Sequence, residues 1–181
     1  STKGIATNVN VYSQILDEFN IPTLDVNRWF LSLKDDKADY DPLFSKTGIH
    51  WSYFAENMVT DSLLNFLRST TGNVFPSRSK IGQFKSKIAL KRDGDVWEGM
   101  NLLRPFDEFE LSYPSFKRVG GESNRTKVLT ISDSYYWGMF YDSLSSNYFK
   151  DGRFWYYYKE VFPESYSKFT SVDELNLKKE L

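Results

Sequence analysis

Ser134 closes a Ser132-Asp133-Ser134 step between an apolar run, Lys127 to Ile131, and a segment with helical periodicity, Tyr135 to Tyr148. A strand that turns abruptly into a helix exposes its turn residue at the carboxyl edge of a sheet, where α/β folds bind ligands. A serine there could be a nucleophile, with backbone N–H groups at the start of the following helix receiving a developing oxyanion. It could equally be a plain helix cap. A nucleophilic serine needs a base, and the chain has 1 His and 0 Cys among 181 residues. Absence of Cys excludes thiol nucleophiles, disulfides, Fe–S clusters and cysteine zinc sites. A single His excludes multi-histidine metal sites within one chain and leaves His50 as the one imidazole available. It stands in Thr47-Gly48-Ile49-His50-Trp51, directly ahead of the longest amphipathic run. At the positive end of that helix the neutral imidazole is favoured, as a general base requires. A structural, hydrogen-bonded His is the alternative.

The elements that must hold these two residues follow from periodicity. Val11, Ile15, Leu16 and Phe19 predict a helix over 8–19, and Ile21 to Val26 reads as a short strand opened by Pro22. Residues 34–40 form a charged loop. Phe54, Ala55, Met58, Val59, Leu63, Phe66 and Leu67 stripe a helix over 52–68 with Ser52 as its N-cap. A Ser/Thr/Gly/Pro loop covers 69–79. Arg78, Lys80, Lys85, Lys87, Lys91 and Arg92 follow with no acid among them, which suits a solvated face on an edge strand or irregular hairpin, or a site for an anionic polysaccharide or a phosphate. Asp93-Gly94-Asp95 is turn chemistry. Pro105, Pro114 and Gly120-Gly121 punctuate a long irregular stretch, Lys127 to Ile131 reads as a mid-sheet strand, Phe154 to Val161 as another, and a helix begins near Val172. Strands alternating with helices predict one α/β domain over 1–181 with a mainly parallel sheet. That sheet is thin, leaving room for strands from outside this segment.

Composition narrows the partners. Charged residues balance to a net of −1, so bulk electrostatics favour no nucleic acid or other polyanion. Aromatic residues make up 18% of the chain, a supply of ring faces for stacking on sugars as well as for a core. Trp51, Tyr135, Tyr136 and Trp137 are the candidate platform, being next to His50 and Ser134. No run approaches the length of a membrane helix, no signal peptide is legible, and a start at Ser is expected of a processed or excerpted chain. Nucleotide-binding and zincin motifs are absent, so no cofactor or metal is expected.

Ser132-Asp133-Ser134 on a strand–turn–helix, with Gly48-Ile49-His50-Trp51 earlier in the chain, resembles the SGNH-hydrolase-like domains of the alginate O-acetyltransferase type, which include the Asp-His-His-Trp proteins. The stretch Asn101 to Pro114 and the aromatic strand Phe154 to Tyr158 are also similar, so the resemblance spans most of the chain. It implies a three-layer α/β fold, a Ser134 nucleophile and a His50 base that move acetyl groups to or from hydroxyls of an extracellular polysaccharide. It also implies a periplasmic or cell-envelope location. Two positions depart from the family pattern: its first Gly of Gly-Asp-Ser is Ser132, and the Asp of its Asp-x-His is Gly48. Asp41, Asp95 or Asp133 could supply the missing carboxylate, as could a backbone carbonyl or water. A misoriented imidazole costs about four orders of magnitude in the serine-protease template, so a catalytically degenerate glycan-binding module is the second expectation. A scaffold whose basic segment contacts an anionic polymer is a third. Oligomeric state is not legible.

Overall fold

A computed structural model describes residues 8–35, 40–101, 109–121, 125–157, 160–162 and 170–171. The expected helix near Val172, Pro105 and its surroundings, Tyr158 and most of the 34–40 loop lie outside those residues. The chain is a mixed α/β protein that divides into two compact units, Ser1–Asp36 and Lys37–Leu181.

The first unit is helical. Helix α1 spans Asn8–Glu18 and α2 spans Val26–Asp35. Ile21 to Val26, expected to be a strand, is the connection between them. Asp25 caps α2 by accepting the Arg28 N–H at 2.8 Å, and Pro22 offers no N–H to a ladder.

The second unit holds both candidate residues. Helix α3 spans Tyr53–Thr71, and Ser52 is its N-cap: the hydroxyl accepts the Ala55 N–H at 3.2 Å. Gly72, at φ 67°, ends it with an N–H to Arg68 O. The basic segment forms strand β1, Ser77–Ser86, which pairs antiparallel with β2, Leu111–Val119. Pro114 thus falls inside a strand rather than in an irregular stretch, as an edge position of a two-stranded ribbon permits. Between them lies the short helix α4, Asp95–Gly99.

Strand β3, Lys127–Ser132, is parallel to β4, Lys150–Tyr156, and the crossover between them carries α5, Tyr136–Tyr141, and α6, Leu144–Tyr148. The continuous helix expected over 135–148 breaks where Ser143 adopts φ 64°. Strands β5, Glu160–Phe162, and β6, Thr170–Ser171, continue the sheet antiparallel, in the order β3-β4-β5-β6. Tyr157, at φ 48°, ends β4 before the expected strand reaches Val161. The sheet is therefore mixed, with one parallel pairing among the described residues, and β3 stands at its edge with Ile131 49% exposed. The aromatic stripe of α5 is what holds the crossover down. Trp137 and Phe140 lie 4.9 and 5.5 Å from the Phe154 ring, and Trp137 lies 4.8 Å from Phe162. These edge-on and tilted contacts suit the aromatic quadrupole, and they fix the turn after β3 against a rigid floor. Among the described residues no helix is long and apolar enough to cross a membrane.

Candidate active site

Three loops converge on one point. Ser134 lies in the turn between β3 and α5, His50 in the segment leading into α3, and Asp95 at the first residue of α4. His50 Nε2 is 2.9 Å from Ser134 Oγ, and His50 Nδ1 is 2.6 Å from Asp95 Oδ2. A carboxylate can only accept, so Nδ1 carries the ring proton and donates it to Asp95. The Nε2 lone pair is thereby left facing the serine hydroxyl. The other carboxylate oxygen, Oδ1, accepts the Ile49 N–H at 3.0 Å, so Asp95 grips ring and backbone together. Ser134 is not a helix cap: Tyr135 occupies the N-cap position of α5, and no side chain bonds there.

Each loop is fixed by its own hydrogen bonds. The Ser52 hydroxyl donates to Pro42 O at 2.6 Å, and the Ser52 N–H reaches Leu43 O at 2.8 Å. Asp93 is buried beneath the same segment. Its Oδ1 accepts the Tyr53 N–H at 2.8 Å at the start of α3, and its carbonyl accepts the Ser45 hydroxyl at 2.6 Å. Thr47 O in turn accepts the Val96 N–H at 3.0 Å. The strand of chain carrying Asp95 is thus laced to the one carrying His50 on both sides of the ring.

The same lacing explains the glycine where the resembling family has its acid. A Cβ at Gly48 would lie 2.4 Å from Ser45 Oγ and 2.9 Å from Asp93 O. No side chain fits at position 48, and the carboxylate arrives instead from the turn at 95. Of the other carboxylates proposed for this role, Asp41 is bound to Lys85 Nζ at 2.9 Å and to Gln83 Nε2 at 3.2 Å. Asp133, exposed at the turn, accepts the Tyr135 N–H at 3.0 Å. Neither orients His50.

That last bond also changes the expected oxyanion donors. The Tyr135 N–H goes to Asp133 Oδ1, the Tyr136 N–H to Asp133 O and the Trp137 N–H to Ser134 O, which takes the first turn of α5 out of play. The Ser134 N–H makes no hydrogen bond among the described residues.

The triad opens onto a cavity of about 230 Å³. Trp51, Tyr135 and Trp137, expected as an aromatic platform, all line it, joined by Tyr53 and Tyr141. Tyr135 also braces the imidazole: its hydroxyl donates to Ile49 O at 3.1 Å, and its ring meets His50 and Trp51 edge-on, each at 4.9 Å. Tyr136 does not belong to the platform. It is 5% exposed, its hydroxyl pairs with Ser145 Oγ at 2.9 Å, and its ring packs on Phe154. In the strand–turn–helix its neighbours on either side face the cavity while it faces the core.

The cavity also holds a charged pair: Glu56 was not singled out in the sequence, and Arg92 was read only as one of the basic segment. Glu56, buried on α3, is bonded to Arg92 through Oε1 at 3.0 Å and Oε2 at 3.2 Å, and Arg92 also donates to Gly138 O at 3.0 Å. Burial pushes the Glu56 carboxyl up to about 7, with the Arg92 guanidinium pulling the other way. The available signal was a lone acid beside Ala55 on the apolar stripe of α3. Among the described residues no group of three or more His, Asp or Glu side chains is arranged to hold a metal ion. Set beside known proteins, the chain matches no family model, no curated protein and no solved structure.

Proposed function

We propose that this chain is a Ser–His–Asp acyl-transfer enzyme acting on O-acetylated carbohydrate, built on an SGNH-hydrolase-like scaffold of the alginate O-acetyltransferase type. The observation that carries the reading is the continuous relay Ser134 Oγ–His50 Nε2 at 2.9 Å and His50 Nδ1–Asp95 Oδ2 at 2.6 Å. Such a relay, opening on an aromatic cavity, suits an ester carried on a sugar ring.

In the first half-reaction His50 Nε2 takes the Ser134 proton while Oγ bonds to the ester carbonyl carbon. The oxyanion of the tetrahedral intermediate lies next to the Ser134 N–H. Collapse breaks the bond to the sugar oxygen, which receives the proton back from His50. In the second half-reaction His50 deprotonates an incoming sugar hydroxyl or water. That oxygen attacks the acetyl-serine, and Ser134 leaves with the proton. Asp95 stays ionised throughout, holding the tautomer and stabilising the imidazolium. On the same reading the protein works in the periplasm or cell envelope, where such polymers are modified.

The test is hydrolysis of p-nitrophenyl acetate and release of acetate from an acetylated oligosaccharide. Ser134→Ala and His50→Ala are each expected to lower kcat at least about a thousandfold. Wild-type rates in both variants overturn the proposal. A wild type that binds glycan oligomers but turns over neither substrate points instead to a glycan-binding module using the same cavity.

A further inference from the structure

Lys91 adopts φ 56°, a left-handed conformation that a long side chain takes only where its surroundings over-determine it. From that bend, consecutive side chains reach different elements. Lys91 Nζ lies 3.8 Å from the Tyr53 ring centroid at the start of α3 and 3.7 Å from Asp142 Oδ1 just beyond α5. Asp93 Oδ1 accepts the Tyr53 N–H, and Asp95 holds the His50 ring. Arg92, between them, reaches two elements at once.

Arg92 Nη2 donates to Glu56 on α3, at 3.0 Å to Oε1 and 3.2 Å to Oε2, and to Gly138 O on α5 at 3.0 Å. Helix α3 follows His50 and α5 follows Ser134, while Arg92 itself stands in the turn that ends in Asp95. One nitrogen therefore joins the three segments that carry the relay. Both charged residues line the cavity that His50 and Ser134 line. The bond is not needed to complete α5: Gly138 O already accepts the Asp142 N–H at 3.0 Å, so Arg92 takes its second lone pair. Nor does stability call for it. Burial raises the Glu56 carboxyl, and a buried ion pair is commonly matched or bettered by apolar side chains of similar volume. What a charged, directional pair adds is a fixed geometry.

We infer that Arg92 is a positioning residue of the relay: bound to Glu56 and to Gly138 O at once, it sets the reach between Ser134 Oγ and His50 Nε2. It touches no reacting atom and acts through the spacing of α3 and α5. Displacing a reacting group by about 1 Å through a distant change can cost about a hundredfold in rate. The expected effect on turnover rests on the acyl-transfer reading; the effect on the His50 ring does not.

Two measurements keep the ideas apart. With p-nitrophenyl acetate, Arg92→Met is expected to lower kcat about a hundredfold and to leave KM within about twofold of wild type. Arg92→Lys, whose single ammonium nitrogen carries three donors, is expected to recover at least about tenfold of that loss. The double variant, Arg92→Met with Glu56→Met, removes both charges. It is expected to unfold at a denaturant concentration no lower than wild type and yet to stay as slow as Arg92→Met. The second measurement needs no turnover. In protein carrying isotopically labelled histidine, the one imidazole gives one Nε2 magnetic-resonance signal, which reports the hydrogen bond from Ser134. Arg92→Met and the double variant are expected to move that signal toward its position in Ser134→Ala, and Arg92→Lys to return it toward wild type. An unmoved signal, or wild-type kcat in either variant that lacks Arg92, overturns the positioning role. So does a kcat that recovers with stability in the double variant, since folding alone then explains the loss. If wild type leaves p-nitrophenyl acetate untouched, the acyl-transfer reading falls, and the Nε2 signal alone decides the role of Arg92.

Discussion

A carboxylate delivered from position 95 rather than 48 changes what holds the imidazole. An acid two residues before the histidine would share its loop; Asp95 reaches in from a separate turn and bonds both His50 Nδ1 and the Ile49 N–H. Asp95→Asn keeps the shape but presents an amide that can donate to Nδ1, which favours the wrong tautomer. The equivalent change in the serine-protease template lowers kcat about 10⁴-fold, and a fall of that order is expected here with KM for p-nitrophenyl acetate nearly unchanged. A fall of less than tenfold removes Asp95 from the relay. Restoring an acid at 48 does not help. Its Cβ would press on Ser45 Oγ and on the fixed carbonyl of Asp93, so Gly48→Asp in the Asp95→Asn background is expected to stay inactive and to lose about 1–3 kcal/mol of stability in a denaturant melt.

At the scale of elements, the site depends on how closely α5 approaches α3. Gly138 is the contact: a Cβ there would lie 1.6 Å from Glu56 Oε2 and 3.0 Å from an Arg92 nitrogen. In an open helix Gly→Ala stabilises by about 1 kcal/mol. Here Gly138→Ala is expected to destabilise by about 1–3 kcal/mol, because the added methyl would overlap the Glu56 carboxylate and push it off Arg92. Urea unfolding of the variant measures it; a gain in stability means the helices can separate freely. This packing also marks what the sequence could and could not reveal. Ser134 and His50 were legible because their signals are local: a strand–turn–helix, and one histidine before a capped, striped helix. Asp95 was only one of three candidate acids, since its partner is 45 residues away and Asp93-Gly94-Asp95 reads as turn chemistry wherever it is placed. The break at Ser143 lay hidden inside an aromatic run whose periodicity continues through it. Ile21 to Val26 has the apolar content of a strand, yet Asp25 commits it to capping α2. Burial of Glu56 was illegible for the reason that Arg92 was: each looks like a solvated charge until the other is beside it.

For the molecule as a whole, the dependence of stability on pH follows from the same buried pair. With a net charge of −1, global repulsion changes little near neutrality, so individual shifted groups set the slope. Glu56 has its carboxyl raised from 4.5 to about 7 by burial, Arg92 offsetting only part of that cost. Between those limits the unfolded chain has released the Glu56 proton while the folded chain still holds it. The folded state therefore binds more protons, and stability falls as pH rises through the window, by about 3 kcal/mol from this group. Below the window both states are protonated and the effect vanishes; above it the full cost persists. Asp61, also raised by burial, acts in the same direction at lower pH. Glu56→Gln keeps a side chain of the same size and an acceptor for Arg92 but has no proton to lose. Denaturant melts from pH 4.5 to 7.5 are expected to show wild-type stability declining and the Glu56→Gln curve nearly flat, the two diverging most at the alkaline end. A wild-type stability that rises across the window, or parallel curves for the two proteins, means that the Glu56 carboxylate is ionised in the folded state at no cost, with Arg92 compensating its burial in full.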